Sequence, residues 1–287
     1  MLKSLSHYRQ RLAERGIREI VAGRLRWYKA RLQMDNWLVG RCIELAGNRI
    51  HVDGVTLSVD NPLIDTAHKS SIFFGYYEMG ERELSRRYID RALPTVEIGG
   101  SIGGVACITN RLLRSPSAHV VIECNPMILP TLERNRELNG CQFSIERCAI
   151  AYGGQTASFS VVKDGWMASG LHAEGTGEQI TDSIAVPTTT LAAILQKYDF
   201  DTINLISDSE GAEVEMVENE AELLRRRVKW LVFETHAFQR GADTIAKMLS
   251  HLHDLGFATE EQDRHTGTVF AMVNRGLEGR ADAPANR

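Results

Sequence analysis

The sequence lacks the long apolar runs, closely paired cysteines and strong net charge that mark several classes of protein. No apolar run in the 287 residues approaches the roughly 18 residues that cross a bilayer. Residues 1–16 contain no apolar stretch suited to a secretory signal. The five cysteines are odd in number and show no spacing typical of a zinc knuckle or a redox dithiol. We therefore expect a cytoplasmic protein with free, reduced cysteines.

The composition is that of a globular protein, with 43% apolar and 24% charged residues. These fractions exclude a disordered chain and a collagen-like repeat. The net charge of −4 gives the whole molecule no attraction for nucleic acid, so any phosphate site must be local.

Charge is unevenly distributed, because residues 1–34 hold nine basic residues against Glu14 and Glu19. Apolar residues recur there at roughly helical spacing, which predicts one or two basic amphipathic helices. Two interpretations stay open: attachment to an anionic surface such as a membrane face or an acidic glycan, or a solvated extension packed on the main domain. Alternating apolar residues around Asp53-Gly54 predict a hairpin over residues 48–60. Both segments belong to a predicted N-terminal extension, residues 1–70.

From residue 71 onward, short apolar runs alternate with helical patterns, which predicts an α/β domain over residues 71–275. The apolar runs, rich in Val, Ile, Leu and Phe as buried parallel strands are, lie at 95–99, 119–123, 202–207 and 230–234. Helical patterns lie at about 103–113, 126–138, 188–198, 211–226 and 240–255. The end of the domain predicts two strands joined at His265-Thr266-Gly267, followed by a flexible tail, residues 276–287.

The most informative stretch is VEIGGSIGG, residues 96–104, in which an apolar strand carrying Glu97 leads through Gly99, Gly100, Ser101 and Gly103 into a helix. Glycines let the backbone approach a ligand closely, and open α/β sheets bind ligands beyond the carboxyl ends of their strands. The spacing does not fit the Gly-x-Gly-x-x-Gly of a dinucleotide site. A tight strand–helix turn without a ligand is the alternative.

Glu123 ends the next strand, 24 residues after Gly99. A carboxylate at that place can accept hydrogen bonds from both hydroxyls of a ribose, as in other nucleotide-binding α/β folds. The alternative is a charge at a helix N-terminus ahead of Pro126.

These motifs resemble the FkbM family of methyltransferases, which use S-adenosylmethionine (SAM). The matching stretches, in the family's order, are Tyr77-Glu78, VEIGGSIGG, ECNP (123–126), LERNRELN (132–139), VPTTTL (186–191), SDSEGAE (207–213) and ETH (234–236). The resemblance covers about residues 75–275 and implies a Rossmann-like sheet, mainly parallel with a C-terminal antiparallel hairpin. It also implies a SAM site formed by Glu97, Gly99, Gly100, Ser101, Gly103, Glu123, Cys124, Asn125, Cys148 and Ala149.

The chain departs from the family's pattern at three places. Ile206, followed by Ser207, stands where the family has Lys before Ile-Asp. Ala192 stands where the family has Asp, and Cys124 replaces a proline. If the missing Lys or Asp is needed for turnover, the chain uses other groups or methylates nothing. A noncatalytic SAM-binding or partner-binding protein is therefore one alternative, and an NAD(P)-dependent oxidoreductase is a less favoured one.

Asp208, Glu210 and His236 are the candidate catalytic residues, because they follow two strands whose ends meet at the edge of the SAM site. An alcohol is a poor nucleophile, so a carboxylate or imidazole within hydrogen-bond reach would help by removing its proton. Glu234 would hold His236 or the loop. The alternatives are helix capping by Asp208 and Glu210, a structural His236, and a divalent ion on the same oxygens, although no ligand spacing requires a metal.

The expected reaction is O-methylation of a hydroxyl on a sugar, polysaccharide or related natural product, an acceptor class that the resemblance implies. Residues 163–182 have no clear period and predict a lid or binding loop, in which Trp166 and His172 either contact the acceptor or are merely exposed. The basic N-terminal segment would suit an anionic or membrane-linked acceptor. We therefore expect a cytoplasmic protein that can lie at the periphery of a membrane.

Overall fold

The computed structural model describes Gln33 and residues 36–162, 169–171 and 180–277. Most of the basic segment, Trp166, His172 and the end of the predicted tail lie outside the described residues. The helices are α1 (Trp37–Leu45), α2 (Thr66–Phe73), α3 (Met79–Tyr88), α4 (Gly104–Leu112), α5 (Leu129–Leu138), α6 (Leu191–Tyr198), α7 (Glu213–Asn219), α8 (Ala221–Arg227), α9 (Ala237–Arg240) and α10 (Ala242–Asp254). None of these helices is long and apolar enough to span a bilayer.

The strands are β1 (Arg49–Val52), β2 (Val55–Ser58), β3 (Thr95–Ile98), β4 (His119–Ile122), β5 (Ser144–Glu146), β6 (Ala149–Ile150), β7 (Thr156–Val162), β8 (Ile180–Thr189), β9 (Ile203–Ser207), β10 (Val228–Glu234), β11 (Phe257–Gln262) and β12 (Val269–Asn274). Seven of them form the central sheet in the order β11-β12-β10-β9-β3-β4-β5. Strands β10, β9, β3, β4 and β5 are parallel, and β12 is antiparallel to both β10 and β11. This arrangement confirms the predicted α/β class, mainly parallel with a C-terminal antiparallel hairpin.

Strands β3, β4 and β9 are buried at every position, because helices cover both faces of the sheet. On one face, the apolar side chains of the strands pack against α6, α7 and α10. On the other, they pack against α4, α5 and the β1–β2 hairpin. The carboxyl ends of the parallel strands are left free at one edge, where a site can form.

The hairpin predicted at residues 48–60 is confirmed as β1 and β2. Val52 pairs with Val55, and the two residues between them have positive φ angles, +53° at Asp53 and +82° at Gly54. A two-residue turn of this kind matches the twist of the paired strands, which explains the Asp-Gly sequence.

Two asparagines of the LERNRELN stretch attach the hairpin to the sheet domain. Asn139 accepts a hydrogen bond from the amide of Thr56 at 2.9 Å, and buried Asn135 accepts one from the amide of Ser58 at 2.6 Å. Asn135 also donates to the carbonyl oxygens of Ser58 at 3.1 Å and Ile102 at 2.8 Å. The motif therefore ties the extension to the glycine-rich stretch. The boundary at residue 70 stays a prediction.

The structure differs from the predicted elements at several places, and two of them concern the site. A three-stranded sheet, β6-β8-β7, was not predicted, and β8 takes residues 180–182 from the predicted loop and 188–189 from a predicted helix. Pairing with β7 keeps residues 180–182 extended, and pairing with β6 keeps residues 188–189 extended. The helix predicted over 211–226 is divided at Glu220, whose carboxylate accepts hydrogen bonds from the amides of Leu191 and Ala192 at the start of α6. All five cysteines are free, as predicted, although Cys42 is exposed.

Candidate functional site

A cavity of about 370 Å³ opens at the carboxyl ends of β3, β4, β9 and β10. Most of the residues predicted to bind SAM line it: Gly99, Ser101, Glu123, Cys124, Asn125, Cys148 and Ala149. Asp208 and Glu210 line it as well, together with Glu234. Most of the predicted site residues therefore lie together, whereas Glu97, Gly100, Gly103 and His236 lie outside the lining.

The glycine stretch is shaped by a backbone contact with Asp208. The amide of Asp208 donates to the carbonyl oxygen of Ile98 at 2.9 Å. A Cβ on Gly99, where φ is +88°, would overlap the carbonyl oxygen of Asp208. Gly99 is required because the chain passes too close for any side chain. The predicted SAM-binding stretch at Gly99 and the candidate base Asp208 are thus in direct backbone contact.

Gly100 and Gly103 serve packing below the cavity and do not line it. A Cβ on Gly100 would overlap Cγ1 of Val121, and one on Gly103 would lie 2.9 Å from Cδ1 of Leu132. Both glycines therefore let the stretch lie close to β4 and α5.

Glu97 also lies outside the cavity, because its side chain points to the α4 face of the sheet. Its Oε2 is 3.5 Å from Nε2 of His119, and neither atom has a hydrogen bond. Burial raises the pKa of Glu97 well above 4.5 and lowers that of His119 to about 3, so the imidazole of His119 is neutral near pH 7. In the sheet, Glu97 is the register partner of Ile206. Ile206 packs in an apolar cluster. Neither Ile206 nor Ala192 lines the cavity.

Glu123 is held at the end of β4 with its carboxylate at the cavity wall. Its Oε2 accepts from the amide of Ser101 and its Oε1 from the amide of Asn125, both at 2.7 Å. Burial raises the pKa of this carboxyl, and the amide hydrogen bonds oppose that shift. Helix α5 begins at Leu129 with Ile128 at its N-cap and no side-chain cap bond, so Glu123 does not cap it.

His236 does not line the cavity, but its Nε2 atom faces three carboxylates that do, those of Asp208, Glu210 and Glu234. Its Nε2 is 3.3 Å from Oδ1 of Asp208, and its Nδ1 is 3.2 Å from Oε1 of Glu213. The side chain of Glu213 is 1% exposed, and Oε1 also accepts from the amide and hydroxyl of Ser209 at 2.7 and 2.9 Å. The catalytic role of His236 stays a prediction, and its side chain contacts Asp208 without lining the cavity.

Electrostatics makes His236 and Glu213 a buried ion pair. Burial would lower the pKa of His236, but the charges of Glu213 and Asp208 raise it well above 6.5. Burial would likewise raise the pKa of Glu213, but His236 and the bonds from Ser209 hold it below 4.5. Glu213 was not among the predicted site residues, because its sequence position does not show that it faces His236.

Glu210 and Glu234 complete the acidic wall. Burial and the charge of Asp208 raise the pKa of Glu210 to about 8, and Gln239 donates to its Oε2. Burial also raises the pKa of Glu234, which accepts a 2.8 Å hydrogen bond from the hydroxyl of Thr268. Helix α7 has Ala212 as its N-cap with no side-chain bond, so Asp208 and Glu210 do not cap it.

Five cavity residues at the start of α3 were absent from the predicted site: Tyr77, Glu78, Met79, Gly80 and Glu81. The hydroxyl of Tyr77 donates to Oγ of Ser101 at 2.7 Å, so the start of α3 supports the glycine stretch. Burial raises the pKa of both glutamates well above 4.5. Tyr77-Glu78 is one of the stretches that match the family, and this match could have indicated that the start of α3 belongs to the site.

The described lining of the cavity is rich in acidic groups, and His265 is its one basic side chain. Six of its residues bear carboxyl groups and none is Lys or Arg: Glu78, Glu81, Glu123, Asp208, Glu210 and Glu234. One oxygen of Asp208, one of Glu234 and a ring nitrogen of His236 lie within 4.8 Å of one another, a grouping that could hold a divalent cation. The chemistry of the lining favours a cationic ligand.

Comparison with known proteins gives the family. A model of the methyltransferase FkbM domain matches residues 97–258, and no curated protein matches the chain. One similar solved structure is an FkbM methyltransferase from Methylobacillus flagellatus KT, at 15% identity and a TM-score of 0.42, covering 80% of this chain and 57% of that one. Another is the ribosomal protein L11 methylase of Lactobacillus delbrueckii subsp. bulgaricus, at 12% identity and a TM-score of 0.40, covering 68% and 77%.

A third similar structure is Aeropyrum pernix fibrillarin with bound S-adenosyl-L-methionine, at 9% identity and a TM-score of 0.38, covering 68% of this chain and 73% of that one. The family assignment rests on the domain match, which spans more than half of the 287 residues. The chain therefore belongs to the FkbM family and is a SAM-dependent methyltransferase.

Proposed function

We propose that the protein methylates a hydroxyl group of a sugar, a polysaccharide or a related natural product. The observation that carries this proposal is the position of Asp208. Its carboxylate lines the cavity beside the glycine stretch and is backed at 3.3 Å by the buried His236–Glu213 pair. A base held at that place suits an acceptor that must lose a proton.

The residues of the cavity fit SAM as the donor. Glu123 would accept the ribose hydroxyls, since each of its oxygens uses one amide bond and a carboxylate offers about four lone-pair sites. Gly99 and Ser101 would face the amino-acid part, and the apolar lining would contact the adenine: Ile122, Ile128, Ile150 and Phe159. When bound, SAM supplies an electrophilic methyl group on a positively charged sulfur.

The charge of the cavity discriminates between SAM and a dinucleotide. A sulfonium and an ammonium group are attracted by the carboxylates, whereas a pyrophosphate would meet acidic groups and no Lys or Arg in the described lining. This distribution favours the methyltransferase over an NAD(P)-dependent oxidoreductase, in agreement with the missing Gly-x-Gly-x-x-Gly.

On the acceptor side, Asp208 accepts the proton that the hydroxyl loses. The imidazolium of His236 fixes the orientation of that carboxylate, so His236 acts as a positioning residue. Glu210, with a pKa of about 8, is mostly protonated at pH 7 and can donate a hydrogen bond to a second hydroxyl. A wall of carboxyl groups suits a neutral polyol such as a sugar, because each hydroxyl can donate to or accept from it.

The test is methyl transfer from labelled SAM to a panel of neutral glycans, phosphorylated sugars, amines and nucleic acids. We expect label on the oxygen of a neutral hydroxylated acceptor, and a loss of about 10²–10⁴-fold in kcat with Asp208→Asn. Asp243→Asn, an exposed change on α10, is the matched control. Label on an amine or a nucleic acid would overturn the proposal. SAM binding without transfer to any acceptor would favour the noncatalytic alternative.

The effect of a chelator on the rate of methyl transfer tests whether the possible cation site is used. If Asp208, Glu234 and His236 hold a divalent ion during turnover, EDTA abolishes transfer and added Mg²⁺ restores it. If Asp208 acts as the base without a metal, as we propose, the rate is unchanged by EDTA.

A further inference from the structure

Glu78 carries a buried carboxyl oxygen at the cavity that no described residue bonds. Glu78 lines the cavity just before helix α3, and its Oε2 is buried without a hydrogen-bond partner in the described part of the chain. Glu78 is also the N-cap residue of α3, but its side chain makes no capping bond. A buried carboxyl oxygen without a partner costs free energy, and a ligand in the cavity can supply the donor.

The backbone at Glu78 is held in a conformation that few residues adopt. Its φ is +46° and its ψ is +36°, in the left-handed region that is unfavourable for residues other than glycine. Buried Arg82 fixes this turn, because its Nε donates to the carbonyl oxygens of Tyr77 at 2.9 Å and of Glu78 at 3.3 Å. Strained residues that the surrounding structure holds in place cluster at ligand sites.

The turn that carries Glu78 lies beside the glycine stretch. A Cβ on Gly104, the first residue of α4, would lie 2.9 Å from Oε2 of Glu78. The hydroxyl of Tyr77 donates to Oγ of Ser101 at 2.7 Å, and the amide of Ser101 donates to Glu123 at 2.7 Å. Ser101 therefore contacts both the carboxylate that would hold the ribose and the residue next to Glu78. In SAM, the ribose and the amino-acid part are joined through one sulfur atom, so a ligand with its ribose at Glu123 has its amino-acid part close by.

Electrostatics favours a cation beside Glu78. Burial raises the pKa of Glu78 well above 4.5, the hydroxyl of Tyr77 opposes that shift, and the charges of Asp208 and Glu97 add to it. A positively charged group in contact with this carboxyl would stabilise its ionised form. The amino-acid part of SAM carries an ammonium group with that charge, whereas its carboxylate would be repelled by an ionised Glu78.

We propose that the carboxylate of Glu78 binds the ammonium group of the amino-acid part of SAM. Glu78 is then a specificity-determining residue for the donor, because it favours ligands that keep the ammonium group over adenosine derivatives that lack it. This inference rests on SAM as the methyl donor and is independent of the acceptor.

The test is isothermal titration of the full chain with ligands that differ in the amino-acid part. They are S-adenosylhomocysteine, its desamino analogue, which lacks only the ammonium group, and 5′-methylthioadenosine, which lacks the whole amino-acid part. We expect the wild type to bind S-adenosylhomocysteine about tenfold or more tightly than the desamino analogue, and Glu78→Gln to remove this difference. Glu78→Gln should bind 5′-methylthioadenosine like the wild type. Glu218→Gln, an exposed change on α7, is the matched control and should keep the wild-type preference.

Glu78→Asp keeps the charge and should retain part of the preference for the ammonium group, and circular dichroism checks the fold of each variant. An unchanged preference in Glu78→Gln contradicts the proposal. So does an equal loss of affinity for every ligand, which would mean that Glu78 only supports the turn. Equal affinity of the wild type for S-adenosylhomocysteine and its desamino analogue contradicts the proposal without any variant. A wild type that binds none of these ligands would instead contradict SAM as the donor, so the two failures are distinguishable.

Discussion

The Nδ1 atom of His236 lies 3.2 Å from Oε1 of Glu213, a carboxylate that is closed off from solvent. The ring is thereby fixed so that its other nitrogen faces Asp208 at the cavity wall. A cation held between two carboxylates would orient Asp208, the one that we propose as the base. The arrangement depends on charge as well as shape, so it responds to pH and to neutral substitutions.

Glu213→Gln is expected to move the alkaline limit of activity to lower pH. Glu213 raises the pKa of His236, so its neutral replacement lowers that pKa, and the imidazolium is lost at a lower pH. The loss in kcat should not exceed the roughly 10²–10⁴-fold that a general base supplies. Glu213→Asp keeps the charge and should keep the limit in place. A pH profile of kcat measures this, and an unmoved limit with Gln would refute the positioning role.

Gly99→Ala is expected to abolish SAM binding and to destabilise the fold, because the new Cβ collides with the carbonyl oxygen of Asp208. Gly140→Ala is the matched control, since Gly140 also has positive φ (+61°) but has nothing within 4 Å. The control should cost about 1–2 kcal/mol for the backbone conformation alone. Urea unfolding and SAM titration give both quantities. Equal effects of the two changes would contradict the close approach.

Asn135→Leu is expected to destabilise the protein by about 3–5 kcal/mol. The change leaves the amide and carbonyl of Ser58 and the carbonyl of Ile102 without their buried partner. Asn219→Ala, at an exposed position of α7, should change the free energy of unfolding by less than about 1 kcal/mol. If Asn135→Leu unfolds at the wild-type urea concentration, the hairpin is not held through this side chain.

Glu97→Gln is expected to stabilise the protein increasingly as the pH rises above 4.5. The unfolded carboxyl ionises near that pH, whereas burial keeps the folded one protonated, so the wild type loses stability as pH rises toward the folded pKa. The gain of the variant is at most about 1.4 kcal/mol for each pH unit in that interval. Thermal unfolding at pH 5 and pH 8 measures it. A variant that is less stable at both values would show that Glu97 is ionised and paired.

Local patterns predicted the framework of this protein well. The Asp53-Gly54 turn and the apolar runs at 95–99, 119–123 and 202–207 became the expected strands, because turn chemistry and burial act over a few residues. Sheet β6-β8-β7 was not predicted because its middle strand pairs with segments that are distant in sequence. Most residues of β8 are exposed or half-buried, so the strand lacks the apolar run that marks a buried strand.

The site was predicted as a set of motifs but not as an arrangement. Gly99, Glu123 and Asp208 follow strands, so the edge of the sheet brings them together. The direction of a side chain depends on tertiary packing, which cannot be inferred from a local sequence pattern. Glu97 therefore lies on the buried face with His119, and the ring of His236 lies between Asp208 and Glu213.

Isothermal titration with SAM, S-adenosylhomocysteine and NADH tests the donor site most directly. We expect micromolar binding of both sulfur ligands and no heat with NADH. Glu123→Ala should weaken the binding at least tenfold, about 1.4 kcal/mol, because the ribose loses its carboxylate partner. Glu137→Ala, on the exposed side of α5, should bind like the wild type. The absence of binding heat with both sulfur ligands, or wild-type affinity in Glu123→Ala, would contradict the account.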